Sequence, residues 1–188
     1  MPDPELVRAR LRQAGARPGF AGMMIDVRYD RNGELTAQEQ VLRLRIYRGA
    51  TGERAVIGWK GPVSISPDGH KTRRELEYDI SSGTAAPAAF PEALGYLPVN
   101  TIERYVEYYH LGTAEARLEW YPRMDTLIEI EGEAAGIDAI IWATGLAREE
   151  FTPEALSAFA GRFASRTGTG AAMTLAELGS EPHRWPER

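Results

Sequence analysis

The 188-residue chain predicts an α+β fold built on a mostly antiparallel sheet with helices packed outside it. Roughly seven segments read as strands, and several alternate apolar and charged residues with a period of two. The links between them have hairpin length, which makes antiparallel neighbours. From Ala134 the apolar spacing lengthens to that of helices, so the helices gather toward the C-terminus.

Pro4 to Ala16 reads as a helix, with Asp3 as N-cap, Pro4 in the first position and Leu6, Val7 and Leu11 in one stripe. Gly15 and Pro18-Gly19 are expected to end it. Ala21 to Tyr29 is an apolar strand, followed by a turn over Asp30 to Gly33. Gln40 to Arg48 sets Arg43, Arg45 and Tyr47 against Leu42, Leu44 and Ile46. After a turn at Gly49 to Gly52, Arg54 to Trp59 forms the next strand and ends in Lys60-Gly61-Pro62. Pro67-Asp68-Gly69 turns the chain into Lys71 to Ile80, where Arg73, Glu75, Glu77 and Asp79 oppose Arg74, Leu76, Tyr78 and Ile80. A small-residue loop covers Ser81 to Ala89, and Pro91 to Gly95 suits one helical turn. Val99 to Tyr109, Glu115 to Tyr121 and Leu127 to Gly132 are strands; the phase of the first is ambiguous because Tyr and Glu interleave. A helix with Ile137, Ile140 and Ile141 closes at Gly145. Thr152 and Pro153 open a second helix carrying Leu156, Phe159 and Phe163. Thr167 to Gly170 reads as a linker, Ala172 to Leu178 as a short helix, and residues 181–188 as a flexible tail of one single domain.

Composition narrows the function classes. The net charge of -5 argues against bulk nucleic-acid binding. Without cysteine there is no disulfide, thiolate metal site or cysteine nucleophile. No apolar run reaches the ~18 residues of a membrane span, and the acidic start at Asp3 and Glu5 is unlike a signal peptide. A cytoplasmic protein is the expectation. The three histidines, His70, His110 and His183, have no ligand spacing.

Strand parity gathers Arg43, Arg45, Lys60, Arg73, Arg104 and Arg117 with Glu75, Glu77, Glu119, Glu129 and Glu131 opposite the apolar faces. If the sheet curls into a barrel with helices outside, these charges line a tunnel. Cations along one part and carboxylates in another suit a polyphosphate held with divalent metal. Guanidinium and ammonium groups bind phosphate oxygens, and Mg²⁺ or Mn²⁺ takes carboxylate and phosphate oxygens together. The competing reading is structural: Glu129 and Glu131 as cross-strand partners of Arg43 and Arg45, and Tyr108, Tyr109, Trp120 and Tyr121 as packing residues.

Leu42-Arg43-Leu44-Arg45, Trp59-Lys60-Gly61-Pro62, Arg73-Arg74-Glu75-Leu76-Glu77 and Glu129-Ile130-Glu131 stand in an order that resembles the CYTH family, the triphosphate tunnel metalloenzymes. Asp26, Tyr29 and Asp30 resemble the segment that precedes the paired arginines there. The resemblance implies an eight-stranded antiparallel barrel whose tunnel binds a triphosphate such as ATP, thiamine triphosphate or tripolyphosphate, with Mg²⁺ or Mn²⁺. Arg43, Arg45, Lys60, Arg73 and Arg104 would hold phosphates, with Lys60 the candidate catalytic side chain. Glu75, Glu77, Glu119, Glu129 and Glu131 are the candidate metal carboxylates, Glu119 standing where the family usually has Asp. If active, the protein would be a metal-dependent triphosphatase or a class IV-type adenylate cyclase. The rival is a non-catalytic phosphate- or nucleotide-binding module that has lost metal chemistry.

Two departures accompany the likeness. The Glu-x-Glu-x-Lys strand of the family is absent from Pro2 to Gly22, and Ile102 stands where a lysine is usual. Seven strands in place of eight would leave two open edges, expected to be covered or to pair with a second copy as a homodimer. The same gap suggests a true start upstream of Met1.

Overall fold

The structure, a computed structural model, describes residues 3–67, 71–81 and 86–186. Asp68-Gly69 of the expected turn, His70, residues 82–85 of the small-residue loop and the last two residues lie outside the described residues. The chain divides into two compact units: a central one, Met23–Glu103, and a terminal one made of Met1–Gly22 and Arg104–Arg188.

The strands are β1 (Arg17–Asp30), β2 (Val41–Gly49), β3 (Gly52–Lys60), β4 (Ser64–Ile65), β5 (Lys71–Thr72), β6 (Glu75–Asp79), β7 (Leu97–Leu111), β8 (Ala114–Trp120) and β9 (Leu127–Gly132). The helices are α1 (Pro4–Gln13), α2 (Glu34–Ala37), α3 (Ala89–Ala93), α4 (Ala134–Thr144), α5 (Leu156–Thr167) and α6 (Leu175–Leu178). Seven strands form one sheet in the order β6-β3-β2-β1-β7-β8-β9, and β4 pairs with β5 apart from it. The pairs β2–β3, β3–β6, β7–β8 and β8–β9 are antiparallel. The α+β class and the antiparallel sheet are thus as the sequence predicts. No helix among the described residues is long and apolar enough to cross a membrane.

In the terminal unit the core lies under α1 and α4. The Asp3 carboxylate accepts from the Glu5 N–H and caps α1. Val7 and Leu11 are fully buried against Tyr109, Ala116, Leu118, Trp120 and Ile140. Gly145, at φ 68°, ends α4 in the left-handed conformation that favours glycine. Trp185, near the end of the chain, also packs against this cluster. In the central unit Tyr29, Leu44 and Ala55 form a smaller cluster with Leu42, Ile46, Ile80 and Tyr96.

Several boundaries differ from the sequence reading, each for a local reason. β1 starts at Arg17 rather than Ala21, so Pro18-Gly19 lies within a strand. Gly19 is tolerated because its backbone approaches His110: a Cβ there would come within 2.6 Å of the imidazole Nε2. Lys71 to Ile80 is not one strand. It breaks at Arg73-Arg74, where the Gly61 N–H donates to the Arg74 carbonyl and Arg73 Nε donates to the Gly61 carbonyl. Its apolar side is open, with Leu76 and Tyr78 exposed, because β6 is an edge of the sheet. The second C-terminal helix begins at Leu156; the Thr152 hydroxyl accepts from Glu154 N–H in a local turn instead of capping α5. The last helix is capped by Thr174, since Ala172 bridges to Arg123.

Asp30 ends β1 and organises the turn into α2. Its carboxylate accepts the Thr36 hydroxyl at 2.6 Å and the backbone N–H groups of Arg31, Leu35 and Thr36. These donors, the Thr36 hydroxyl first, bring its pKa down to about 2. An aspartate whose folded pKa is depressed stabilises the fold fully above its unfolded value of ~3.9 and loses that contribution as pH falls through the folded value. The melting temperature of Asp30→Asn should therefore lie below wild type at pH 7, with the gap closing as both are taken to about pH 2. A gap independent of pH would show that the carboxylate charge contributes nothing.

Candidate functional site

In the central unit, Arg43 lies opposite Gly58, and Gly58 opposite Glu77 on the other side of β3. Lys60 lies opposite Glu75, and Arg45 opposite Val56. Alternation puts Arg43, Arg45, Gly58, Lys60, Glu75 and Glu77 on one face of the strands, reverse to Leu44 and Ala55. Asp26 joins them from β1: its Oδ2 is 3.7 Å from both Arg43 Nη1 and Arg45 Nε. Glu77 Oε1 is 2.9 Å from Arg43 Nη2 and 3.3 Å from Arg45 Nη2. The missing side chain at Gly58 makes this reach possible, because a Cβ there would stand 3.3 Å from Glu77 Oε1. Lys60 Nζ is 2.5 Å from Glu75 Oε1. Arg43, Arg45 and Lys60 are all buried.

Arg73 is fixed by the bond from its Nε to the Gly61 carbonyl, 2.9 Å long. Burial lowers its pKa; Glu75 opposes that shift, and the positive charge of Arg28 adds to it. Arg28 escaped the sequence reading, although it follows Asp26 by two and so shares its face. Arg28, Arg43, Arg45, Lys60 and Arg73 thus share this face with Asp26, Glu75 and Glu77. Arg28 Nε, Arg43 Nε and Arg73 Nη2 are buried with no hydrogen-bond partner among the described residues.

The terminal unit holds a second charged patch. On β8, Arg117 is flanked by Tyr108 of β7 and Glu129 of β9 in register. Its Nε donates to Glu119 Oε1 at 2.7 Å, its Nη1 to the Tyr108 hydroxyl at 3.2 Å and its Nη2 to Glu129 Oε2. Glu131 Oε1 is 3.8 Å from the same Nη2. Arg104 Nε stands 3.3 Å from Glu119 Oε1, and the Tyr121 hydroxyl donates to the other Glu119 oxygen. Burial works against the charge of Arg117, but Glu129 and Glu119, with Tyr108 and Glu131, outweigh it and raise its pKa well above the ordinary value. Burial and the Glu119 charge raise that of Tyr121. The phase of β7 is settled here: Arg104 and Tyr108 face the charges, while Tyr109 faces α1. Of the aromatic residues expected to pack, Tyr109 and Trp120 do so in the core, whereas Tyr108 and Tyr121 spend their hydroxyls on this network.

Each unit brings its own candidates together: Arg43, Arg45, Lys60, Arg73, Glu75 and Glu77 in the central one, Arg104, Glu119, Glu129 and Glu131 in the terminal one. His110 pairs instead with Glu115 at 3.1 Å, and His183 stacks on Trp185. The five candidate metal carboxylates do not present a bare cation site. Glu75 is held by Lys60, Glu77 by Arg43 and Arg45, and Glu119, Glu129 and Glu131 by Arg117. Among the described residues no cluster of three or more such side chains is arranged around a common metal position.

No protein-family model and no curated protein matches this sequence. Solved structures do match the fold. A "putative adenylate cyclase" from Vibrio parahaemolyticus superposes with a TM-score of 0.67 at 15% identity, over 85% of this chain and 92% of that one. HpAC1 from Hippeastrum, with a dominant triphosphatase activity, gives 0.57 at 16% identity, over 90% and 93%. The PH1819 protein from Pyrococcus horikoshii gives 0.58 at 21% identity, over 76% and 80%. The fold is CYTH-like.

The buried Arg117–Glu119 pair sets a stability expectation. Removing one partner of such a pair leaves an uncompensated charge and costs about 3–5 kcal/mol. Glu119→Ala should lower the urea midpoint accordingly. A loss below about 1 kcal/mol, the scale of an exposed pair, would mean that water already screens the pair.

Proposed function

We propose that this protein binds a triphosphate-bearing small molecule, such as ATP, thiamine triphosphate or tripolyphosphate, on the charged face of its central unit. The observation that carries the reading is the set of buried guanidinium nitrogens on Arg28, Arg43 and Arg73 without a hydrogen-bond partner among the described residues. A buried donor left unsatisfied costs about 1–3 kcal/mol, so such groups call for an acceptor. Guanidinium forks match phosphate oxygens in shape and charge. Arg43, Arg45, Arg73 and Arg28 would bind phosphate, with Lys60 as the point charge that leaves Glu75 for the ligand. Arg104 belongs to the terminal unit, where Glu119 engages it.

The likeness to HpAC1 supports triphosphate hydrolysis as the reaction, and that to the Vibrio protein a cyclase reaction of the class IV type. Mg²⁺ or Mn²⁺ would arrive complexed to the phosphates, because the protein's own carboxylates are engaged by its cations. That engagement also favours a second reading, a binding module without turnover.

Tripolyphosphate should raise the melting temperature; a ligand at a hundred times its Kd adds about 2.7 kcal/mol. Arg28→Ala, Arg73→Ala and Lys60→Ala should each weaken binding by about 1–3 kcal/mol, the scale of a charged hydrogen bond. Phosphate release from tripolyphosphate identifies a triphosphatase, pyrophosphate release from ATP identifies a cyclase, and binding with neither identifies the module. An unchanged melting temperature at millimolar tripolyphosphate sinks the proposal.

A further inference from the structure

The three glutamates of the terminal unit that resemble metal ligands share one cation already, and it belongs to the chain. Arg117 is 4% exposed and stands between β7 and β9. Its three nitrogens are spent on Glu119, Tyr108 and Glu129, with Glu131 at 3.8 Å. Both Glu119 oxygens are engaged, one by Arg117 and the other by the Tyr121 hydroxyl. A divalent ion needs oxygen ligands at ~2.0–2.6 Å on every side. A divalent ion seated among them would compete with the Arg117 guanidinium for these oxygens and stand beside its charge.

We infer that Arg117 is the resident cation of this cluster: its guanidinium pairs with and positions Glu119, Glu129 and Glu131 in place of a protein-held divalent metal. The cluster is a fixed ion-pair network on which β7, β8 and β9 meet, and its carboxylates do not capture a metal ion from solution. A consequence, which rests on the triphosphate reading of the central unit, is that ligand binding needs no metal site in the protein. Nothing in the pattern of Glu129-Ile130-Glu131 announces this. The arginine that fills the site lies on another strand, one residue before Leu118-Glu119.

The test uses Mn²⁺ alone, titrated into the intact protein while the electron paramagnetic resonance signal of free Mn²⁺ is followed. Wild type and the Glu129→Gln, Glu131→Gln double variant should retain Mn²⁺ equally weakly. Arg117→Met, which removes the internal cation at similar volume, should retain Mn²⁺ at least tenfold more tightly than wild type. Adding Glu129→Gln to it should abolish that gain. One tightly held Mn²⁺ per wild-type chain, lost in the double variant, would overturn the inference. If Arg117→Met fails to fold, the comparison of wild type with the double variant still decides between the two outcomes. Tripolyphosphate plays no part in this titration, so a failure of triphosphate binding counts against the reading of the central unit and not against the role of Arg117. Conversely, a melting shift with tripolyphosphate that persists in EDTA supports the consequence, and one that needs Mn²⁺ and is lost in the Glu129→Gln, Glu131→Gln double variant overturns it.

Discussion

Arg117 occupies a position where a charge survives only in company. It is buried in the terminal unit, and a guanidinium taken out of water must recover its hydration from fixed partners. It does so from three strands at once: Tyr108 on β7, Glu119 on its own strand and Glu129 on β9. The other side of β8 carries Ala116, Leu118 and Trp120 into the core beneath α1 and α4. A slip of one residue would send Arg117 into that core and Leu118 into the charges. The register of β7–β8–β9 is thus specified from both faces, by packing on one and by ion pairing on the other.

The central unit applies the same rule with a different outcome. Asp26 and Glu77 are shared between two arginines, and Lys60 has Glu75, so the most buried cations are neutralised. Arg28 and Arg73 stand close enough for their like charges to act on each other. A fold selected for stability alone would have little use for two neighbouring arginines with buried nitrogens unsatisfied. The two patches therefore differ in kind. One is closed on itself, and the other keeps buried guanidinium nitrogens without a partner among the described residues.

Small residues decide how far these side chains reach. Gly58 leaves open the path across β3 along which Glu77 meets Arg43. Gly61 supplies the carbonyl that holds Arg73 and the N–H that holds the Arg74 carbonyl, where the expected long strand divides into β5 and β6. The Lys-Gly-Pro segment read as a phosphate motif acts on geometry first: it places Arg73 beside Arg28.

The sequence by itself determined the class of fold, because alternation with a period of two and its change to a helical period are local properties of the chain. It also determined which side chains share a face: Arg43 with Arg45, and Glu75 with Glu77, follow from parity within one strand. The start of β1 at Arg17, the break at Arg73-Arg74 and the exposure of Leu76 and Tyr78 lay beyond it. They depend on a neighbour: His110 beside Gly19, Gly61 beside Arg73, and an unpaired edge at β6. Only the tertiary structure decided what each charge meets. Glu129 reads the same in sequence whether it faces a metal ion, water or an arginine. The register that sets it opposite Arg117 comes from pairing between strands, which no single strand encodes.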